Sequence, residues 1–404
     1  MILLLVHAAH ADTLTLEQAL AAAKDHPSVR QAQAAADAAD ARADQARAGL
    51  LPTLDGGASW STSTSTGTSL TAELSASQLV WDFGKTAGAW RSWRESAAAR
   101  LADEAQAELD AEWGVRNAYF VAVADKSLVE VATQTLANQD RHFVQTQAFV
   151  DVGIRAPIDL ATARTQQANA RVALLQAQNA YDIAKATLHQ AMGVEGGLDY
   201  DVSDQAFPAV EDEASTTDAL LEQALATRPD AAAMRAELEA EKAQVRSALA
   251  TYAPSLSVTA GASEAGSGAG LALPGVSPSA KVGASLDVPL FHGLSGVAQV
   301  REARAALVGL EAQSDALRQQ VRLELETALR SVAADKAVLA ASEEAVLAAQ
   351  AQLDLAEGRY QTGVGSALEL DDAQLALSSA AAQRVKAIYA LAAARAGLMS
   401  ALGR

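Results

Sequence analysis

Two pairs of prolines in this sequence share one spacing. Pro27 and Pro229 lie 202 residues apart, as do Pro52 and Pro254, and the enclosed stretches end in the related runs ARAGLLPTL and ALATYAPSL. From residue 81 onward the spacing becomes 210 and stays there, pairing Trp81 with Phe291, Ala124-Asp125-Lys126 with Ala334-Asp335-Lys336, Gly153 with Gly363, and Gly193 with Gly403. One offset held over more than a hundred residues marks an internal duplication. The chain is therefore read as two structural repeats, residues 12–193 and 216–404. Between them, residues 194–215 are acidic, contain Gly and Pro and lack a period, which reads as a connecting segment. The eight extra residues of the second copy fall between Pro254 and Phe291.

Each copy reads helix, strand, strand, very long helix, turn, helix. The first helix is expected from about Leu16 to Gly49, bent at Pro27, and its counterpart from about Asp218 to Tyr252. Hairpins follow at 53–83 and 255–291. Leu256, Val258, Ala260 and Ala262 alternate with Ser255, Ser257, Thr259 and Gly261, and Ala280, Val282, Ala284, Leu286, Val288 and Leu290 alternate with Ser279, Lys281, Gly283, Ser285 and Asp287. The first copy alternates more weakly, with Leu70, Ala72, Leu74 and Ala76 against Thr71, Glu73, Ser75 and Ser77. Such strands suit either the surface of a soluble core or a bilayer. Their length reaches the roughly 9 to 11 residues of a tilted transmembrane strand. Trp60, Trp81, Phe83 and Phe291 gather at hairpin ends, where an aromatic girdle would lie. Only 4% of the chain is aromatic, so that clustering carries weight. Four strands cannot close a barrel, and lipid does not tolerate open edges; a membrane reading therefore requires several chains to share one barrel.

The segments after the hairpins, Gly84 to Asp151 and Gly293 to Gln361, contain no proline. As helices they would each extend about 100 Å at ~1.5 Å per residue. Leu325, Val332, Leu339, Val346, Leu353 and Tyr360 fall seven apart, with Ala328, Asp335, Ser342, Ala349 and Ala356 three residues after the first five. The first copy repeats the pattern with Val115, Ala122, Val129, Leu136, Phe143 and Val150 and, in between, Ala118, Asp125, Ala132, Gln139 and Thr146. A seven-residue repeat packs helices as a left-handed coiled coil. Each long helix should fold back, at turns 151–157 and 361–367, onto Ile158–Met192 and Leu368–Leu402. The expected fold is thus mainly α with transmembrane β.

Chemistry is hard to find in this chain. With 49 acidic against 31 basic residues, a net charge of -18, nucleic acid is excluded as a partner. There is no cysteine, which removes disulfides, thiolate metal sites and thiol catalysis. Gly84-Lys85-Thr86 lacks the upstream glycine of a phosphate loop, since Leu79 stands there. Gly266, Gly268 and Gly270 precede a Pro-containing loop rather than a helix. The six histidines have no metal-binding spacing. No enzyme activity, cofactor or metal is expected. Asp125 and Asp335 sit in the heptad seam, as register-setting polar residues or facing a water-filled bore. Residues 1–11, MILLLVHAAHA, read as the remnant of a secretory signal. No stretch approaches 18 consecutive apolar residues, so a bilayer would be crossed by strands alone.

The reversals after the long helices are more informative. Val152-Gly153-Ile154-Arg155-Ala156-Pro157-Ile158-Asp159 and Thr362-Gly363-Val364-Gly365-Ser366-Ala367-Leu368-Glu369 each pair a turn glycine with an acid near the start of the returning helix. Glu369 and Asp372 share a helix face. In one chain they make an ordinary charged helix start; in a symmetric ring they make a ring of carboxylates that favours cations.

With these residues assembled, the span from Leu14 to Gly403 resembles the TolC family of outer-membrane efflux proteins. The likeness lies in the duplicated plan, the L-T-L-E-Q-A-L opening, the Ala-Gly-Leu-Leu-Pro entry to the first strand, the Leu-Val-Trp-Asp-Phe-Gly-Lys exit from the second, and the Val-Gly and Thr-Gly turns. The resemblance implies a homotrimer in the cell outer membrane, with a twelve-stranded β-barrel in lipid and long helical hairpins forming a periplasmic α-barrel tunnel. It implies a periplasmic adaptor and an inner-membrane pump as partners, meeting the tip at Val152, Gly153, Ile154, Arg155, Thr362, Gly363, Val364 and Gly365. It implies a constriction at Glu369 and Asp372 and a tyrosine–aspartate link between Tyr360 and Asp159. Gly365 departs from the pattern, standing where a link-forming arginine is expected; Arg155 is the candidate to replace it. The channel would serve efflux or type I secretion. The opposed reading is a structural or adhesive coiled-coil envelope protein.

Overall fold

Proline decides where the first helices stop. The computed structural model describes residues 12–63, 67–197, 199–204, 208–268, 275–291 and 293–404; residues 1–11, expected to be a signal remnant, and 269–274, the expected tip of the second hairpin, lie outside them. In chain order the elements are β1 (Asp12–Leu14), α1 (Leu16–Ala23), α2 (Pro27–Ala48), β2 (Thr53–Ser63), β3 (Gly67–Trp81), α3 (Lys85–Asp151), α4 (Pro157–Met192), β4 (Tyr200–Val202), α5 (Thr217–Thr227), α6 (Pro229–Leu249), β5 (Ser255–Gly268), β6 (Gly275–Asp287), α7 (Ser295–Gln361) and α8 (Ala367–Ala401).

The expected helix from Leu16 to Gly49 is two helices, not one bent helix, and so is its counterpart from Asp218. Pro27 and Pro229 lack an N–H and clash with the preceding turn, so each begins a new helix instead of continuing the old one. Arg228, the residue before Pro229, is pushed out to ψ 130. Each break is then packed by a left-handed glycine at the end of a returning helix: a Cβ on Gly193 would meet Pro27 at 2.7 Å, and one on Gly403 would meet Arg228 Cα at 2.9 Å.

The segment 194–215 is more than the connector expected from its lack of period. It contains β4, which pairs in parallel with β1, Thr13 opposite Asp201. Three-residue strands are too short to show a period. They are held instead by side chains of the long helices: Tyr119 donates to the Ser203 carbonyl at 2.8 Å, Lys126 to Asp201 at 2.7 Å, and Tyr181 to the same carboxylate at 2.6 Å. These contacts hold the Asp201 carboxyl below its ordinary range although burial opposes them.

The chain forms two units. The first comprises residues up to Gln31, Ala105–Arg228 and Gln319–Arg404. Its largest core gathers Ala19, Ala23, Val115, Tyr119, Phe120, Leu188, Met192 and Val202. The heptad explains the rest: Leu325, Val332, Leu353 and Tyr360 are buried, with Ser342, Ala349 and Ala356 three residues after their seam positions. Alanine at so many seam positions lets helix backbones approach closely around a thin core.

The second unit comprises Ala32–Glu104 and Pro229–Arg318 and carries the sheet. Strand order is β2-β3-β5-β6, all neighbours antiparallel. The register lines up one face: Leu54 pairs with Ala76, Ala76 with Ala260, and Ala260 with Val282. The opposite face is polar, with Ser61–Ser69, Ser257–Ser285 and Ser263–Ser279 hydroxyl pairs all at 2.8 Å. Asp82 then turns the chain into α3, accepting from Thr86 N at 2.7 Å, while Phe83 takes a left-handed φ of 55.

Candidate functional site

Two features of the fold have no purpose in an isolated chain. The first is the apolar face of the sheet. Leu54, Trp60, Leu74, Val282 and Leu286 are all exposed on it, Val282 at 84%, so none of the described residues covers these side chains. The four girdle residues are also exposed: Trp60, Trp81, Phe83 and Phe291, with Trp81 and Phe83 in edge contact at 5.9 Å. The outer strands β2 and β6 each have one neighbour, leaving two open ladders.

The second feature is the pair of turns at the ends of α3 and α7. Both close the same way. Gly153 and Gly363 take φ of 78 and 79, and the amides after them reach back to the Phe149 and Arg359 carbonyls at 2.9 and 3.0 Å. The returning helices start differently: α4 on Pro157 without a side-chain cap, α8 on Ser366, whose hydroxyl accepts from Glu369 N at 3.1 Å.

The two turns are tied together by Arg155. Its guanidinium lies 4.5 Å from the Tyr360 ring centroid and donates to the Gly365 carbonyl at 2.9 Å. Arg155 and Gly365 occupy the same position of the two copies, 210 residues apart. Gly365 is closely packed: a Cβ there would stand 3.0 Å from the Arg359 side chain and 3.0 Å from the Tyr360 amide, so these neighbours would have to give way. The side chain that bridges the turns is thus supplied by the first copy.

Tyr360 is the hub of this cluster. It is buried with Leu353, Ala356, Ala367, Leu370 and Ala373. Its hydroxyl meets Thr146 Oγ1 at 3.1 Å, because Thr146 lies on the facing seam of α3. Asp159, the partner implied by the resemblance, is half-buried on the first turn of α4 and is not the group bonded to that hydroxyl. Glu369 is exposed and paired with Arg359 Nε at 3.0 Å, and Asp372 is exposed on the same helix. Val152, Ile154 and Val364 project from the turns, Val364 at 74% exposure.

The heptad placed Gln139 on the seam, but not its partner Gln374 or the neighbouring His142 and Asp371, which complete a buried polar set one turn deeper. Gln139 donates to Gln374 at 2.7 Å, and His142 Nε2 lies 3.7 Å from Asp371 Oδ1. The signal that would have found it is the cross-helix register: both pairs have residue numbers summing to one value, as an antiparallel α3/α8 contact requires. Among the described residues no cluster of His, Cys, Asp or Glu is arranged to hold a metal.

The profile of the outer membrane efflux protein family matches residues 17–194 and 220–404. The chain belongs to this family. Among its relatives, the outer membrane protein TolC of Escherichia coli is 25% identical over 402 residues, spanning 94% of this chain and 80% of that protein. The toluene efflux pump outer membrane protein TtgC of Pseudomonas putida is 28% identical over 275 residues, 66% of this chain and 54% of that protein, so the match spans about half the length of that relative. In fold, this chain matches the crystal structure of the transmembrane channel CusC with a TM-score of 0.86 at 22% identity, over 96% of this chain and 92% of that one. Its fold is the one seen in outer-membrane channels, a helical barrel joined to a β-barrel.

Proposed function

We propose that this chain is the outer-membrane channel of a tripartite efflux or type I secretion assembly, passing cargo from a periplasmic adaptor and inner-membrane pump to the cell exterior. The observation that carries this reading is the four-stranded sheet whose apolar face is bare and whose two edges are open. Lipid would cover the face, and neighbouring copies would cover the edges. A homotrimer supplies twelve strands, enough for a membrane barrel, with Trp60, Trp81, Phe83 and Phe291 at the bilayer boundaries. Each copy of the duplicated repeat then contributes one hairpin to the barrel and one helical hairpin to the periplasmic tunnel.

The tip turns are the proposed docking end. Val152, Gly153, Ile154, Thr362, Gly363 and Val364 offer an exposed, mostly apolar rim to the adaptor. Glu369 and Asp372 of three chains would form the carboxylate constriction, and the Arg155–Tyr360–Gly365 clasp would hold the two hairpins of each chain together when the pump is absent, in place of a Tyr360–Asp159 link. An adaptor that binds the parted form more tightly would open the tunnel.

The experiment is extraction and conduction. The protein should leave the membrane fraction only in detergent, run as a trimer and conduct ions across a planar bilayer with a preference for cations. The double substitution Glu369→Gln, Asp372→Asn should reduce that preference. A monomer in the soluble fraction would instead favour the adhesive coiled-coil reading and end the channel proposal; unchanged selectivity would remove Glu369 and Asp372 from the constriction.

A further inference from the structure

The contacts between the helical hairpin α3–α4 and the hairpin α7–α8 form a short ladder that descends from the clasp. Tyr360 meets Thr146 and Arg155; below it, His142 contacts the Tyr360 ring with centroids 5.2 Å apart and faces Asp371; below that, Gln139 meets Gln374. The His142–Asp371 rung differs from the others. The side chains are 3% and 6% exposed, yet both Asp371 oxygens and His142 Nδ1 have no hydrogen-bond partner, and 3.7 Å is too long for a hydrogen bond between Nε2 and Oδ1. Gln139 Oε1 in the same rung region is also unpartnered. Buried acceptors without donors are costly, and what such a set lacks is a proton.

We propose that His142 and Asp371 form a buried proton-binding pair through which acidification holds the two helical hairpins together. The inference rests on the channel reading for its consequence, since parting the hairpins is what opens the proposed tunnel. With one proton the pair is neutral overall and can close its hydrogen bond. Without it, a carboxylate is shut between α3 and α8 with no counter-charge in contact.

The surroundings support this. On its own helix Asp371 has Asp372 beside it and Glu369 two residues earlier; around the His142–Asp371 rung lie Arg141 from α3, Asp159 from α4, Glu357 and Tyr360 from α7, and Arg155 from the first turn. Arg141 and Glu357 line a cavity of about 180 Å³ beside His142, and Arg155 is engaged with Tyr360 and Gly365, so neither cation pairs with Asp371. Burial, reinforced by the charge of Asp372, pushes the Asp371 carboxyl up to about 6 from 3.8. Burial holds the His142 imidazole below its ordinary value, against the pull of Asp159. Because the packed state binds the Asp371 proton more tightly than the parted state, packing is favoured at low pH and that contribution is lost as pH rises through about 6.

The absence of cysteine makes the test direct, because spin labels can be placed at Val152→Cys and Val364→Cys without background. Both sites are exposed and outside the ladder. Distances between the labels are measured on the full chain in detergent from pH 5 to pH 8. The separated population should rise about tenfold from pH 5 and level off above about 6. Asp371→Asn, which mimics the protonated acid, and Asp371→Leu, which cannot titrate, should both hold the hairpins together with no pH step. Glu369→Gln with Asp372→Asn should keep the step. A wild-type chain with no step, or either Asp371 variant that retains it, overturns the proposal. The distance readout does not need conduction: a pH step in a protein that conducts nothing sinks the channel reading and leaves the proton pair standing, whereas conduction without a step does the reverse.

Discussion

The two tip turns share a backbone and differ in what they contribute. In both, a left-handed glycine closes the long helix with nearly the same φ and the same pattern of amides reaching back. The first turn carries Arg155 and starts its helix on Pro157; the second carries Gly365 at the matching position and starts on Ser366. The difference is complementary. The second turn gives up a side chain where it folds tightly on Arg359 and Tyr360, and its bare carbonyl becomes the acceptor for the first turn's arginine. Duplication supplied two equal turns, and divergence at one position converted them into donor and acceptor.

The strongest way to break this comparison is to make the turns alike again. Gly365→Arg places a Cβ within 3.0 to 3.1 Å of Arg359 and Tyr360 atoms, and we expect it to destabilise the second turn by about 1–3 kcal/mol, read as faster hydrogen exchange over residues 359–369. Exchange as slow as wild type would mean the tight contact at Gly365 is not needed.

A smaller effect should come from removing the donor. Arg155→Ala loses a charge-assisted hydrogen bond and a cation–π contact, together about 1–2 kcal/mol. A double-mutant cycle with Tyr360→Leu should give a coupling of at least about 0.5 kcal/mol, and Arg155→Lys should recover only part, since an ammonium lacks the planar fork. Additive substitutions would show that Arg155 and Tyr360 do not act on each other.

The smallest effect concerns how each returning helix begins. Ser366→Ala removes a side-chain cap and should weaken the start of α8 by about 1 kcal/mol. Pro157→Ala should weaken the start of α4 by only about 0.5 kcal/mol, because proline acts there mainly by restricting the unfolded chain. Thermal scans of the two variants rank them, and equal losses would remove the asymmetry of the two starts.

What could be read from the residues in order follows a physical pattern. The ends of α3 and α7 and the four long strands were legible because each announces itself locally, by absence of proline, by a period of seven or two, and by glycine at the reversal. The split of the first helix at Pro27 was visible as a proline but misjudged as a bend, since a proline alone does not say whether the chain resumes in line. The β1–β4 pair escaped because three residues carry no period and the partners lie 188 positions apart, Asp12 opposite Tyr200. His142 and Asp371 escaped because each looks ordinary on its own helix.

The sequence by itself determined the duplication, the lengths of the rods, the alternation of the strands and the identity of Gly153 and Gly363 as turns, all consequences of short-range sterics and of where apolar side chains recur. Packing between distant segments brings about the rest: the apolar face of the sheet exposed among the described residues, Thr146 rather than Asp159 on the Tyr360 hydroxyl, Arg155 crossing to Gly365, and an acid and an imidazole shut together between α3 and α8. Those depend on the register in which one helix lies against another, which is set by the sum of many small packing contacts between residues far apart in the chain and has no local signature.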